Sequence, residues 1–404
     1  MGQVLLVGIT AIVAACLLVG YRSRLATVGS ALLLASLYAR NPYLVNGGDT
    51  ILVSLLFLAA FLPLDARWSL RGRRRQGDDR IVSMATAAIL LHIVVIYVIN
   101  AVLKFQSDAW TSGIAVRRIF QLEDFVYVLG PTVAEYPAVL TAVNWLWIAV
   151  LSVSVLLVFA TGWLRITVVA VFIGAHLGMA ATMRLGAFPF VMCTGLLLFL
   201  PPRMWDRMDR FIVEYGVTDR LESLARENSD SSGGQSSEST FSPRIRRGVH
   251  ILTTGILVCF LVTVGGWQVV AAGLVDSPAA GGDDVLSSAS WAFFAPDPPN
   301  SYSWYVIEAD RESGESTDLV DGSEADFDRP PDAMDRYPTT LWKRYGTKIQ
   351  GASSTHFESA AAYFCDRAPA DVESVTIYRV EQPVDADGPV GEPIPQTRAT
   401  AVCG

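Results

Sequence analysis

The stretch Ile81–Phe105, IVSMATAAILLHIVVIYVINAVLKF, carries four polar side chains in an otherwise apolar run of membrane-spanning length. These are His92, Tyr97, Asn100 and Lys104. Because successive helical residues are offset by about 100°, the four side chains fall within less than half of the helix circumference. Burying an ionisable group inside a membrane span costs free energy, so such groups usually mark a functional site. This stripe is therefore a candidate functional site.

Each of these residues has two interpretations. Lys104 can be a base near neutral pH if it lies in an apolar cavity. It can also extend to the membrane surface from the end of its helix. His92 is a candidate for binding a quinone oxygen or relaying protons, or for a hydrogen bond to a neighbouring helix. Tyr97 and Asn100 are candidates for cofactor binding or for interhelical hydrogen bonds.

A second apolar run, residues 166–183, adds two candidates. His176 lies in its middle, where it can be catalytic or structural. Arg184 directly follows the run and can hold an anionic ligand or contact lipid phosphate. Asp49, at the start of an earlier run, is better explained as a helix N-cap. The cysteines and histidines show no metal-ligand spacing, so we expect no metal.

The composition predicts a membrane protein. The chain has 404 residues, of which 51% are hydrophobic and 17% charged, and its mean hydropathy is +0.38. These values are too apolar for one soluble core. Eight apolar runs are candidate spans, at about residues 3–20, 26–41, 49–64, 81–105, 138–161, 166–183, 187–202 and 248–273. Residues 106–137 are too apolar and too long for a simple turn, and their 114–129 part is expected at the membrane interface or re-entering the membrane.

Arginine-rich segments predict the orientation. The loop 65–80 contains six arginines, and such loops remain in the cytoplasm. Alternation of the spans then places 203–247 in the cytoplasm and 274–404 outside. We therefore expect a multi-pass cell-membrane protein with four parts: a helical transmembrane domain (1–205), a cytoplasmic amphipathic helix and Ser/Gly-rich linker (206–247), a final span (248–273) and an acidic outside domain (274–404).

The outside domain differs from the rest in charge. It has 23 acidic against 9 basic residues, a net charge of −14, which leaves +6 for the remainder of a chain whose total is −8. Alternating runs at 301–309 and 372–380 predict strands, whereas 337–350 and 353–367 predict helices, so we expect a small α+β domain. Cys365 and Cys403 are its only cysteines. Since thiols outside the cell are not kept reduced, we predict a disulfide rather than two free thiols.

Four blocks of the chain resemble the HTTM (horizontally transferred transmembrane) family, prokaryotic relatives of vitamin K-dependent gamma-glutamyl carboxylase. The blocks are NGGDTILVSLLFLAAFLPLDARWSL at 46–70, IYVINAVLKFQSDAWTSGIAV at 96–116, HLGMAATMRLGAFPFVMCTGLLLFLPPRMW at 176–205 and SWAFFAPDP at 290–298. The resemblance places Lys104 at the carboxylase base and His176 at a family histidine. Gly48 stands where the carboxylase has a histidine, and Leu151 where relatives often carry an acid.

Two kinds of function follow from the resemblance. The first is a membrane enzyme of carboxylase-like type, which takes a quinol or vitamin K-like lipid from the membrane. Lys104, His176 and His92 would be its catalytic groups, and Tyr97, Asn100 and Arg184 would bind the cofactor. Its partners would be membrane lipid and an extracytoplasmic protein substrate, with no nucleic acid. The second is a non-catalytic lipid- or quinone-binding module, or a scaffold that displays the outside domain.

Overall fold

The computed structural model describes residues 2–66, 69, 83–214, 243–271, 275, 291–337, 339–351 and 353–403. The helices are α1 (Gly2–Leu18), α2 (Ser23–Arg40), α3 (Gly47–Ala59), α4 (Met84–Phe105), α5 (Asp108–Thr111), α6 (Ala115–Ile119), α7 (Gly130–Ala134), α8 (Pro137–Ser152), α9 (Leu156–Phe159), α10 (Gly162–Thr182), α11 (Phe188–Leu197), α12 (Pro202–Glu214), α13 (Pro243–Ala271), α14 (Thr340–Ile349) and α15 (Ser354–Cys365). The strands are β1 (Ser301–Arg311), β2 (Ser316–Asp318), β3 (Val372–Pro383) and β4 (Ile394–Val402).

Among the described residues, three helices are long and apolar enough to cross a membrane: α4, α10 and the Arg247–Val270 part of α13. A fourth is possible if α11 and α12 count as one bent span. The prediction of about eight spans is therefore not confirmed. Helices α1, α3 and α8 contain 17, 13 and 16 residues. At 1.5 Å per residue they reach about 20–26 Å, which is less than the hydrocarbon thickness of about 30 Å.

Helix α4 lies at the centre of the bundle. Of its most apolar window, 61% is buried, against 17% in α10 and 6% in α13. A helix that is apolar on all sides is normally buried against other helices, and α4 packs against α3, α8, α11 and α13. Its N-terminus is capped by Ser83, whose hydroxyl accepts the Thr86 N–H. The polar stripe of α4 therefore faces protein.

The segment between α4 and α8 forms three short helices and packs beside the C-terminal end of α10. Trp110, Val116 and Ile119 are buried together with Leu140 of α8 and Met183. The backbone N–H groups of Tyr127 and Leu129 donate to the carbonyls of Thr182 and Ala181. The apolar residues that made this segment unusual for a loop thus form a cluster with the membrane helices.

The C-terminal domain, residues 291–403, is built on an antiparallel sheet in the order β2-β1-β3-β4. Side chains alternate between the two faces of a strand. Accordingly, Tyr305 and Ile307 of β1 pack against α14 and α15, while Trp304 and Val306 face the other way and pack with Leu122 of the membrane domain. The predicted α+β class of this domain is confirmed.

Ion pairs join this domain to the surface formed by the start of α3 and the 106–137 and 183–187 segments. The buried pair joins Lys343 to Asp124 at 2.9 Å, with side chains only 8% and 7% exposed. The others are Arg184–Asp332, Arg344–Asp49, Arg329–Glu123 and Arg117–Asp387. The C-terminal domain is therefore docked near the C-terminal ends of α4 and α10.

Cys365, which ends α15, forms a disulfide with Cys403, just after β4, with Cα atoms 5.2 Å apart. This is the pairing expected from the sequence, and it ties the last strand to the helix layer. Most of the arginine-rich loop 65–80 and the linker part of 206–247 lie outside the described residues. Helix α12 overlaps the start of the amphipathic helix expected at 206–227, and the part of that range after residue 214 lies outside the described residues.

Candidate functional site

A cavity of about 480 Å³ lies between α4, α8, α10 and α11, beside the 106–137 segment. Its wall is mainly apolar and aromatic, with Trp147, Phe188, Met192 and Phe293 among the lining residues. Such a cavity with a few convergent polar groups is the usual form of a small-molecule site. Four of its polar residues were singled out from the sequence: Tyr97, Asn100, Lys104 and His176.

Lys104 is only 2% exposed, so it does not extend to the membrane surface. Its Nζ donates a hydrogen bond of 2.7 Å to the carbonyl oxygen of Phe293 and lies 4.4 Å from the centre of the Trp110 ring. Within the part of the chain that the structure describes, Lys104 forms no ion pair with a carboxylate. The cavity interpretation of Lys104 is the one that fits its position.

Lys104 is one of several side chains that donate hydrogen bonds to backbone carbonyls of residues 291–297. We call these residues the linking segment. The Asn100 amide donates to the Trp291 carbonyl at 2.7 Å, and the Trp110 indole N–H donates to the Phe294 carbonyl at 2.8 Å. Ser107 also bonds to Asp297. Sequence reasoning missed this arrangement. The one signal for it was that the segment coincides with the SWAFFAPDP block.

Tyr97 and His176 form a second polar group in the cavity wall. The Tyr97 hydroxyl and His176 Nε2 are 2.9 Å apart. The imidazole is fully buried, and none of the described residues forms a hydrogen bond with its Nδ1. If the hydroxyl donates to Nε2, then Nδ1 carries a free N–H. If Nε2 donates instead, the hydroxyl proton is free and Nδ1 is an acceptor. In either tautomer the pair keeps one donor and one acceptor for a ligand.

The cavity opens on its side, between α8 and α10. Three lining residues are exposed on this side of the bundle. Val143 and Leu146 of α8 are 41% and 59% exposed, and Val171 of α10 is 41% exposed. Gly174 and Gly178, one turn apart on α10, also line this opening and leave space where side chains would project. Since α10 is a membrane-length helix, an apolar opening on its exposed side faces lipid.

His92 lies outside this cavity, so the structure does not bring it together with the other two catalytic candidates, Lys104 and His176. Its Nε2 is 2.7 Å from the Ser54 hydroxyl of α3, and its ring packs edge-on against Trp291. The imidazole therefore joins α3 to α4, as the interhelical alternative proposed. His92 lies three turns before Lys104, and the cavity adjoins only the later part of the stripe.

Arg184 also lies outside the cavity, where it pairs with the C-terminal domain. Its guanidinium nitrogens lie 3.1 and 2.5 Å from the two carboxylate oxygens of Asp332. Burial opposes ionisation of Asp332, but the hydrogen bonds from Arg184 hold the pKa of this carboxyl below its usual range. Arg184 thus has an anionic partner within the chain, and the structure does not bring it to the cofactor-binding candidates Tyr97 and Asn100.

Asp49 contributes to a helix cap, although Asn46 is the N-cap residue. Asn46 accepts the Asp49 N–H, while the Asp49 carboxylate accepts the Asn46 N–H, which is a capping box. Asp49 also pairs with Arg344 at 3.3 Å. Asp49 thus has a structural role in the cap and contacts the C-terminal domain, but the expectation that it is the N-cap itself is wrong.

Two positions distinguish this membrane domain from that expected of a carboxylase, and one of them lines the cavity. A Cβ on Gly48 would lie 2.7 Å from Phe188 Cβ, so the close approach of α3 and α11 leaves no room for a histidine. Leu151 is buried and lines the cavity, so an apolar side chain occupies the wall where an acid was expected. Among the described residues, no group of three or more His, Cys, Asp or Glu side chains is placed to hold a metal ion.

The HTTM domain profile matches residues 2–205, which include α1 to α11 and every polar residue that lines the cavity. The chain belongs to the HTTM family. No curated protein and no solved structure matches it significantly. The match ends within α12, so the linking segment and the C-terminal domain of this HTTM protein lie beyond the matched residues.

Proposed function

We propose that this HTTM protein binds a quinol-like membrane lipid in the cavity, with Lys104 as the base that acts there. The observation that carries the proposal is the combination of a buried lysine that has no carboxylate partner among the described residues and an apolar cavity open towards lipid. A quinol-like ring would supply an acidic hydroxyl, and its prenyl chain would extend through the opening between α8 and α10. The aromatic wall suits a flat ring.

The residues around Lys104 support a proton-accepting role. When Nζ takes up a proton, the new positive charge lies between the Phe293 carbonyl and the face of the Trp110 ring, which both stabilise a cation. The Tyr97–His176 pair would orient the ligand, because it offers a donor and an acceptor in either tautomer. Water is excluded by the apolar lining, which strengthens each of these interactions.

A second candidate is a binding module without catalysis. Gly48 and Leu151 replace the two polar groups that the carboxylase resemblance would supply, and the packing at Gly48 leaves no space for one of them. In that case the same cavity would hold the lipid, and Lys104 would anchor the linking segment. Both candidates require lipid binding, but only the first requires proton transfer at Lys104.

A bulky side chain at the opening should block binding. We expect Gly178→Phe to weaken the binding of a short-chain menaquinone by about ten-fold or more, because the ring would occupy the space beside the opening. Quenching of tryptophan fluorescence in nanodiscs measures this affinity. Gly255→Phe is the matched control, an exposed glycine of α13 with open space around it and no part in the cavity. Equal affinity in both variants would contradict the proposal.

We also propose that the C-terminal domain lies outside the cell and that the 65–80 and 203–247 segments lie in the cytoplasm. Support comes from the arginine bias of these segments. The C-terminal domain docks near the C-terminal ends of α4 and α10, which is the side of the bundle away from the 65–80 segment that precedes α4. A membrane-impermeant maleimide on intact cells should label Ser313→Cys and leave Ser232→Cys unlabelled. Ser313 is exposed and avoids the positive φ of the adjacent Gly314. The reverse labelling would refute this orientation.

A further inference from the structure

Helix α12 turns away sharply from the membrane bundle. Its axis makes an angle of 101° with α11, and Pro201 and Pro202 stand at the break. Proline at the first helical position starts a new helix and cannot continue the preceding one. Because α11 packs along the membrane-length helix α10, this bend directs α12 along the membrane surface. That surface is the one opposite the C-terminal domain, since α11 begins near that domain and runs away from it.

The side chains of α12 separate into three faces. At about 100° per residue, Met204, Met208 and Phe211 share one arc of the helix. Asp206 and Asp209 project from the opposite side. Much of this apolar face is exposed, since Met208 is 40% and Phe211 is 60% exposed, while Met204 is partly buried.

The third face is an arginine stripe, formed by Arg203, Arg207 and Arg210. Their spacing of four and three residues places them in one arc along the edge of the apolar face, and all three are exposed. This is the position from which long cationic side chains reach lipid phosphates while the apolar side chains lie among acyl chains. The start of α13 adds two exposed cations, Arg244 and Arg247, on the same side of the membrane.

We propose that α12 lies in the boundary between headgroups and acyl chains, and that its arginine stripe binds anionic phospholipid headgroups. The apolar face fits the acyl chains, the arginine stripe fits the phosphates, and the two aspartates lie on the side of the helix opposite the apolar face. Anionic lipids attract basic residues near the membrane surface by about five-fold in affinity for each charge. This inference is independent of any ligand in the cavity.

The position of α12 can be measured by spin labels on the full chain in vesicles of phosphatidylcholine and phosphatidylglycerol. Single cysteines replace residues of each face, in a background where Cys16, Cys193 and Cys259 are serine and the disulfide is kept. We expect labels at 204, 208 and 211 to collide with oxygen, and those at 206 and 209 with a water-soluble nickel chelate. Chelate access at 204 and 208 would overturn the proposal. Exclusion of both reagents there, with spin–spin broadening between chains, would instead show a second copy of this chain and also overturn it.

Lipid specificity needs a separate comparison. Replacing Arg203, Arg207 and Arg210 together by glutamine should reduce the preference for spin-labelled phosphatidylglycerol over phosphatidylcholine several-fold, by up to about five-fold per arginine. The matched triple lysine variant keeps the charge and should retain the preference. An unchanged preference in the glutamine variant would show that the stripe does not recognise anionic lipid.

Discussion

Lys104→Met should lose quinol-dependent turnover by about 10²- to 10⁴-fold, the usual contribution of a positioned base. Methionine can fill much of the space of the buried lysine side chain but cannot accept a proton. The Phe293 carbonyl would lose its donor, which should reduce the free energy of unfolding by about 1–3 kcal/mol. The chain should therefore still fold and still bind the lipid. Oxidation of reduced menaquinone by dissolved O2 in proteoliposomes, measured against protein-free liposomes, reports turnover, and thermal unfolding reports stability.

His92→Gln is the control for this experiment. His92 is buried on the same helix but bonds to Ser54 outside the cavity, so its loss should affect helix packing and leave turnover per folded molecule nearly unchanged. If Lys104→Met retained turnover within a few-fold of the unaltered protein, Lys104 would be only an anchor of the linking segment. The non-catalytic module would instead be supported if the unaltered protein bound the lipid but showed no quinol-dependent turnover.

Lys343→Met should destabilise the docking of the C-terminal domain by about 3–5 kcal/mol, because it leaves the Asp124 carboxylate buried without its counter-ion. Lys343 Nζ also donates to the Asp124 carbonyl at 3.0 Å and lies 3.9 Å from the centre of the Phe125 ring, so three contacts are lost together. Urea unfolding and limited proteolysis at the domain boundary measure the change.

Two further variants test whether the burial of an ion pair, rather than the number of ion pairs, determines how strongly the C-terminal domain is docked. Asp387→Asn removes an ion pair across the same interface, but Asp387 is 79% exposed, so its loss should change stability by at most about 1 kcal/mol. Adding Asp124→Leu to Lys343→Met removes the stranded carboxylate and should recover much of the loss. Equal effects of Lys343→Met and Asp387→Asn would contradict a buried electrostatic contact as the main link between the domains.

Much of the candidate site could be predicted from residue types and spacing. The helical period placed Tyr97, Asn100 and Lys104 on one side of α4, and all three line the cavity. His92 lies on the same side of α4 but three turns earlier, where it contacts α3. Helical spacing alone does not show how far along a helix a cavity extends. His176 lies on a different helix, and its contact with Tyr97 depends on how α10 packs on α4. The helical period predicts on which side of a helix a residue lies, but it does not predict which residue of another helix it contacts.

The number of spans shows a different limit. Apolar runs were recognised correctly, but α3 and α8 end after 13 and 16 residues. Apolar side chains avoid water equally well by packing against protein or against lipid. An apolar run therefore does not show whether the helix spans the membrane or is buried within the protein. In the C-terminal domain the strand and helix patterns were clear, because alternation and the 3.6-residue period are local properties.

The sequence by itself determined the family, the membrane character, the stripe of polar residues on α4 and the α+β class of the C-terminal domain. Each of these depends on order and periodicity along the chain. Only the tertiary structure decided that Lys104 donates to Phe293, 189 residues away, and that Arg184 pairs with Asp332, 148 residues away. Such contacts form because a buried donor or charge without a partner costs free energy, and packing in three dimensions determines which partner lies within reach.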